Sequence, residues 1–151
     1  MIDQIVEDFS VPATGGQTFT LSAQRGRVVV LYFYPKDSTP GCTSEAQDFR
    51  DLYDQFDAVG AIVVGVSRDS LKSHENFKAK QQLPFALLSD ADETLCQRFG
   101  VIKQKKMYGK DVRGIERSTF LIDRDGVLRA EWRGLKVAGH AQQVLETVRG
   151  L

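Results

Sequence analysis

An uninterrupted apolar run, VVVLYFY at residues 28–34, is the sequence feature that most constrains the fold. Runs of β-branched and aromatic residues of this length are typical of a strand that is covered on both faces. Pro35 ends the run, because proline cannot donate a hydrogen bond to a central ladder. A second such run, AIVVGVS at 61–67, follows a segment with apolar residues at helical spacing, 43–57. We therefore expect two buried strands joined by a helix.

The rest of the chain continues this alternation of strands and helices. We predict a short strand before the first run and, after the second, a polar surface helix, a short strand and a short helix. A hairpin that turns at Asp125-Gly126 and a last amphipathic helix complete the chain. In chain order, these predicted elements cover residues 17–21, 70–82, 85–88, 92–98, 117–123 and 127–132 (the two strands of the hairpin), and 140–149. The order β-β-α-β-α-β-α-β-β-α predicts an α/β fold, and a thioredoxin-like three-layer sandwich around a mixed sheet fits it best.

The composition favours one globular domain and excludes several classes of partner. The chain has 151 residues, of which 42% are hydrophobic and 26% charged, as expected of a single domain over 1–151. Its 20 basic and 20 acidic residues balance, so we expect neither nucleic acid nor an anionic membrane as a partner. The start MIDQIVEDFS does not resemble a signal peptide, which favours a cytoplasmic protein. The basic segment KQKKMYGK at 103–110 is interpreted as a solvated loop.

Two cysteines, Cys42 and Cys96, limit the available chemistry. They are too few for a disulfide scaffold. Together with His74 and His140 they form no close pair of the kind that holds structural zinc, so we expect no metal. His74 falls in the predicted polar surface helix and His140 at a helix start, so neither is predicted to be a catalytic base.

Cys42 follows the loop PKDSTPG, between the buried strand and the next helix. In open α/β sheets ligands bind beyond the carboxyl ends of the strands. The unpaired amides and positive dipole end of a first helical turn stabilise a thiolate. This placement leaves two interpretations open, a reactive nucleophile or a small buried thiol. Position 45 is Glu where a thioredoxin-type dithiol has cysteine, and position 48 is Asp where a cysteine phosphatase has arginine.

The spacing Pro35-x-x-x-Thr39-x-x-Cys42 matches the active-site motif of peroxiredoxins. The longer string FYPKDSTPGCT resembles the peroxiredoxin Q, or bacterioferritin comigratory protein, subfamily. The similarity continues through LLSDAD, FGVIKQKKMYGK, GIERSTFLID and EWRGLKVAGH. The resemblance implies a thiol peroxidase without a cofactor, which reduces hydrogen peroxide and alkyl hydroperoxides through a cysteine sulfenic acid in antioxidant defence.

The resemblance also implies a role for each residue of the site. Cys42 is the implied peroxidatic nucleophile, and the hydroxyl of Thr39 is expected to bind the thiolate and the peroxide oxygen. Pro35 is expected to shield the site from bulk water, and Arg117 to hold its guanidinium near the sulfur. Glu45 is a further candidate, as the polar partner that orients Arg117.

How the sulfenic acid is reduced stays open at this point. Many relatives carry a second cysteine five residues after the first, but that position is Gln47 here. Cys96 is therefore the candidate resolving cysteine, although a buried core thiol is the favoured interpretation. Without a resolving cysteine, thioredoxin, glutaredoxin or a small thiol would act directly on Cys42. The resemblance suggests a monomer.

Two rival functions also fit parts of the sequence. A non-catalytic redox sensor would use the same sulfenic acid as a signal. The sequence supports a thiol-disulfide reductase less well than a redox sensor, because position 45 is not cysteine.

Overall fold

Nine strands and five α-helices are formed by the residues that the computed structural model describes, which are 1–151 apart from the side chain of Met107. The strands are β1 (Ser10–Ala13), β2 (Gln17–Thr20), β3 (Val28–Phe33), β4 (Ala61–Ser67), β5 (Leu87–Ser89), β6 (Ile102–Met107), β7 (Lys110–Ile115), β8 (Ser118–Ile122) and β9 (Leu128–Arg133). The helices are α1 (Pro40–Asp51), α2 (Tyr53–Ala58), α3 (Leu71–Gln81), α4 (Thr94–Arg98) and α5 (His140–Arg149). Of these helices, none is long and apolar enough to span a membrane.

Seven strands form one mixed sheet, in the order β2-β1-β5-β4-β3-β8-β9. The three central strands β3, β4 and β5 are parallel to one another, and every other pair of neighbouring strands in the sheet is antiparallel. Every residue of β3 is buried, which confirms the prediction from the apolar run. Because parallel strands end at the same edge of a sheet, the segments that follow β3, β4 and β5 lie close together there.

Two apolar cores cover the two faces of this sheet. Alternate residues of β3 enter different cores, beginning with Val28 in one and Val29 in the other. The first, here named the α1 core, contains side chains from α1, α2, α3 and α5. The second, the α4 core, contains side chains from α4, β1 and β2. Helices therefore flank the mixed sheet on both faces, and the predicted thioredoxin-like sandwich is confirmed.

The structure differs from the predictions in several elements. The helix predicted over 43–57 is two helices, since α1 ends at Asp51 and α2 begins at Tyr53. The first of these two helices also starts earlier than predicted, at Pro40, where the fixed φ of proline suits a first helical position. Strand β1 was not predicted. It is an antiparallel neighbour of β2 and β5 and contains Pro12.

The segment 103–110 is exposed at its described side chains, as predicted, but the prediction of a loop is wrong, because this segment belongs to the hairpin of β6 and β7. Tyr108 and Gly109 both have positive φ, at 54° and 76°, which is the geometry of a two-residue hairpin turn. Tyr-Gly is a weaker signal for this turn than Asn-Gly, because tyrosine disfavours positive φ.

The prediction of a surface position for His74 is also wrong, because this side chain is 0% exposed. His74 and Phe77 are three residues apart on α3, so both point from one face of the helix into the protein. The other residues of the helix are mostly polar, so the sequence pattern does not show that one face of this helix is buried.

Gly65 of β4 leads to a prediction about stability. A Cβ atom on Gly65 would lie 2.8 Å from Cζ of Tyr32 and 2.9 Å from Cδ2 of Leu87. Gly65→Ala should therefore lower the free energy of unfolding by about 1–3 kcal/mol, the usual cost of overpacking a core. Urea denaturation measures this difference.

Gly114→Ala is the matched control for this experiment. Gly114 also lies in a strand, and its Cβ would meet only Nη2 of Arg68 at 3.8 Å. This substitution should change stability by less than about 0.5 kcal/mol. Equal effects of the two substitutions would contradict the packing of Gly65 against Tyr32.

Candidate active site

Cys42 lies in the first turn of α1, directly beyond the carboxyl end of β3, as the sequence predicts. The first backbone hydrogen bond of this turn runs from the N–H of Thr43 to the carbonyl of Thr39, at 2.9 Å. The amides of Gly41 and Cys42 precede that bond and face the start of the helix. The Cys42 side chain is only 2% exposed, so its sulfur lies in a largely dry environment where nearby charges act strongly.

The guanidinium of Arg117 reaches this sulfur from the neighbouring strand. Arg117 precedes β8, whose first residue Ser118 pairs with Phe33 at the end of β3. Nη2 of Arg117 donates to Sγ of Cys42 at 3.4 Å, and Nη1 donates to Oε1 of Glu45 at 2.7 Å. The structure therefore brings together Cys42, Arg117 and Glu45, as the resemblance implied.

Glu45 is a buried carboxyl group with one satisfied oxygen. Its Oε1 accepts from Arg117, whereas its buried Oε2 has no hydrogen-bond partner among the described residues. Burial raises the pKa of Glu45 to about 7, against the opposing effect of the Arg117 charge. Near neutral pH this carboxyl is only partly ionised, so it balances only part of the positive charge that Arg117 presents to Cys42.

Arg117 itself remains charged in this setting. Burial works against its charge, but Glu45 and Cys42 outweigh burial and raise the pKa of the guanidinium. A permanent cation beside the sulfur stabilises a thiolate and any negative charge that develops there during a reaction.

Gly41 was not identified from the sequence as part of the site. A Cβ atom on Gly41 would lie 3.2 Å from Nη2 of Arg117, which is tighter than most contacts of a Cβ atom. Glycine therefore allows the guanidinium to lie against the start of α1. Its position directly before Cys42 in the motif was the signal that could have indicated this.

Thr39 and Pro35 lie in the loop before α1. The hydroxyl of Thr39 donates to the carbonyl of Lys36 at 2.8 Å, which leaves its oxygen as an acceptor. This differs from the expected hydrogen bond to the thiolate and suits a ligand that carries its own O–H group. Pro35 is exposed at the end of β3, so its shielding role stays a prediction.

Cys96 lies in α4, away from this group. It is 0% exposed and belongs to the α4 core, whereas Cys42 belongs to the α1 core on the other face of the sheet. Burial and the neighbouring Asp90 raise the pKa of the Cys96 thiol far above its ordinary value. Both cysteines are free thiols, and the structure does not bring them together.

One group of potential metal ligands occurs in the described part of the chain. The ligand atoms of Asp37, Asp69 and His74 lie within 4.8 Å of one another. Nδ1 of His74 is hydrogen-bonded to Asp37 at 2.7 Å, so this nitrogen carries a proton instead of a free lone pair. The hydrogen-bonded arrangement therefore offers a metal ion an incomplete set of donors.

Comparison with known proteins identifies the relatives of this chain. The sequence profile of the AhpC/TSA family matches residues 2–131. Peroxiredoxin Bcp of Xanthomonas campestris is 53% identical over 155 residues, covering 99% of this chain and 97% of that protein.

Comparison with solved structures also identifies peroxiredoxins as relatives of this chain. A Xylella fastidiosa PrxQ structure has a TM-score of 0.95 at 45% identity, covering 99% of this chain and 96% of the other. A structure of the X. campestris bacterioferritin comigratory protein, concerned with its alkyl peroxide reduction activity, has a TM-score of 0.90 at 54% identity. It covers 94% of this chain and 90% of the other.

The environment of Glu45 predicts a pH-dependent stability. The pKa of this carboxyl rises from 4.5 to about 7 on folding, so the folded state binds more protons between these values. Its contribution to stability therefore falls as the pH rises from about 4.5 to about 7. Glu45→Gln removes the titration, so its stability relative to wild type should rise across this window by an amount on the order of 3 kcal/mol.

Urea denaturation of both proteins at pH 5 and pH 8 measures this difference. Glu7→Gln, at an exposed position, is the control and should show the wild-type pH dependence. A Glu45→Gln stability difference that is constant with pH would show that Glu45 is ionised throughout.

Proposed function

The chain belongs to the AhpC/TSA family, and we propose that it is a thiol peroxidase that reduces hydrogen peroxide and alkyl hydroperoxides at Cys42. The observation that carries this proposal is the 3.4 Å contact between Nη2 of Arg117 and Sγ of Cys42 at the start of α1. The guanidinium of Arg117 and the dipole of α1 both favour the thiolate of Cys42, which is the nucleophilic form of cysteine. The relatives named as peroxiredoxins, and the one studied for alkyl peroxide reduction, support the same chemistry.

The proposed reaction is a displacement at a peroxide oxygen. The Cys42 thiolate attacks the terminal oxygen of the hydroperoxide, so that an S–O bond forms while the O–O bond breaks. The O–H group stays on sulfur as sulfenic acid, and the alkoxide or hydroxide leaves and takes up a proton to become alcohol or water. The Thr39 oxygen accepts a hydrogen bond from the peroxide O–H, and Arg117 stabilises the charge that moves onto the leaving oxygen.

We further propose that a thiol from outside the chain reduces the sulfenic acid. This thiol attacks the sulfur and releases water, and a second thiol then cleaves the mixed disulfide and restores Cys42. Supporting observations are Gln47 at the usual position of a resolving cysteine and the location of Cys96 on the opposite face of the sheet. Thioredoxin, glutaredoxin or a small thiol can supply the reductant.

The proposed cycle needs free thiols and therefore a reducing compartment such as the cytoplasm. We propose that the protein acts as a monomer, as its resemblance to the peroxiredoxin Q subfamily suggests.

Substitution of Arg117 tests the observation that carries the proposal. Arg117→Ala should slow the oxidation of Cys42 by hydrogen peroxide by about 10²–10³-fold, because a preorganised charge at the reacting atoms is lost. Stopped-flow kinetics under pseudo-first-order conditions measures this rate. Arg149→Ala is the control, because Arg149 donates to Gln55 on the surface. An unchanged rate in Arg117→Ala would remove Arg117 from the mechanism.

Substitution of each cysteine tests the cycle. Cys42→Ser should abolish peroxide consumption in a coupled assay with thioredoxin and thioredoxin reductase, because no nucleophile remains. Cys96→Ser should retain turnover, because an external thiol acts on Cys42 directly. Loss of turnover in a folded Cys96→Ser protein would instead assign Cys96 as the resolving cysteine.

The turnover assay, repeated with thioredoxin, glutaredoxin and a small thiol as the reductant, separates a peroxidase from a redox sensor. Multiple turnovers with at least one of the three reductants support the peroxidase. A single round of sulfenic acid formation without turnover would support the sensor.

A further inference from the structure

A buried polar cluster anchors the loop between β3 and α1. The loop is mostly exposed at Pro35, Lys36 and Ser38, but Asp37 between them is buried. We name the group formed by Tyr34, Asp37, Asp69, Ser73 and His74 the loop clamp. Because Asp37 lies two residues before Thr39 and five before Cys42, the clamp acts on the segment that carries the reacting groups.

Four hydrogen bonds converge on Asp37. Its carboxylate accepts from the hydroxyl of Tyr34 at 2.6 Å, from the hydroxyl of Ser73 at 2.8 Å and from Nδ1 of His74 at 2.7 Å. Its backbone N–H donates to Oδ2 of Asp69 at 2.9 Å. One residue of the loop is thus bound to the end of β3, to the segment after β4 and to α3.

The contacts of His74 determine its protonation state. Nδ1 faces the Asp37 carboxylate, and Nε2 faces the carbonyl of Leu88 at 2.9 Å. Both partners are acceptors, whereas a neutral imidazole has only one N–H to donate. Both bonds form together only if His74 is an imidazolium, for which Asp37 provides the compensating buried charge.

The environment of Asp37 supports a charged pair. Burial alone would raise the pKa of Asp37, but the hydrogen bonds from His74 and Tyr34 outweigh it and hold the pKa below its ordinary value. The carboxylate therefore stays ionised at neutral pH. The alternative arrangement, in which Asp37 carries the proton and both side chains are neutral, is disfavoured.

The loop also contains a strained residue that needs such an anchor. Ser38 has a φ of 64°, in the left-handed region that non-glycine residues adopt at a cost. Strained backbone persists where the surrounding structure fixes it, and it concentrates at functional sites. The hydroxyl of Thr39 is bonded to Lys36 within the same loop, so its direction depends on the loop conformation.

We propose that Asp37 and the imidazolium of His74 are positioning residues for the peroxide step, because their ion pair fixes the loop that orients Thr39 and begins α1. This inference rests on the proposed function. Neither residue contacts the reacting sulfur in the described structure, and both act through the orientation of Thr39.

The protonation of His74 can be tested without reference to activity. In ¹⁵N-labelled protein at pH 7, long-range ¹H–¹⁵N correlation should show both ring nitrogens of His74 protonated. The chain has two histidines, so the spectrum of His140→Gln assigns the signals.

His140 serves as an internal reference. Burial, together with the charge of Arg117, lowers its pKa to about 4, so it should show one unprotonated nitrogen in the same spectrum. An unprotonated ring nitrogen on His74 would overturn the ion pair.

The positioning role is tested with Asp37→Asn and His74→Gln. Each variant should lower the rate constant for Cys42 oxidation by hydrogen peroxide about tenfold or more, since small misplacements of reacting groups have effects of this size. Alkylation of Cys42 by iodoacetamide needs the thiolate but not Thr39, so its rate should stay within about twofold of wild type. General loosening of the fold would instead accelerate alkylation.

Asp90→Asn is the matched control. Asp90 is also a buried carboxylate, but it accepts from the amides of Leu95 and Cys96 at the start of α4. Its substitution should leave the peroxide rate constant unchanged. If it slows oxidation as much as Asp37→Asn, or if Asp37→Asn and His74→Gln react at wild-type rates, the positioning role is refuted.

These outcomes separate the inference from the function on which it rests. A wild-type protein that reacts with peroxide no faster than a free thiol would overturn the proposed function and the positioning role together. A fast wild-type reaction that the two clamp variants leave unchanged would overturn the positioning role alone.

Discussion

The contact between the guanidinium of Arg117 and Sγ of Cys42 depends on the pairing of β3 with β8. Strand β3 ends at Phe33 and the chain continues through the loop into α1, while Arg117 directly precedes β8 on the neighbouring strand. The antiparallel register places these two ends side by side, although 75 residues separate the side chains along the chain. The buried central strand therefore determines where the charge meets the sulfur.

Two buried carboxyl groups serve this region, Glu45 at the contact itself and Asp37 in the loop before α1, and their environments differ. Asp37 has three side-chain donors, which hold its pKa below the ordinary value and keep it ionised. Glu45 has one donor and an unpartnered oxygen, so burial raises its pKa to about 7. Environments that separate the pKa values of two carboxyl groups commonly give them different roles. Here one carboxylate anchors the loop, and the other limits how far the charge of Arg117 is neutralised.

The sequence was sufficient where the signal is local. The apolar run predicted β3, and the loop before Cys42 predicted its place in a first helical turn. The burial of His74 was missed because its partner Asp37 lies 37 residues away and the surrounding helix is polar. The same holds for Arg117, which only the family resemblance identified, since nothing in its local sequence indicates that it faces Cys42. Contacts between distant segments are set by the sheet register, which local patterns do not contain.

The central claim is that Cys42 alone carries the peroxide chemistry and that Cys96 is an inert core thiol. The most direct test is treatment of the reduced protein with one equivalent of hydrogen peroxide in the presence of a sulfenic acid trap, followed by intact-mass analysis and peptide mapping. We expect one trapped sulfenic acid on Cys42 and an unmodified thiol on Cys96. A disulfide between Cys42 and Cys96, or oxidation that begins at Cys96, would contradict it.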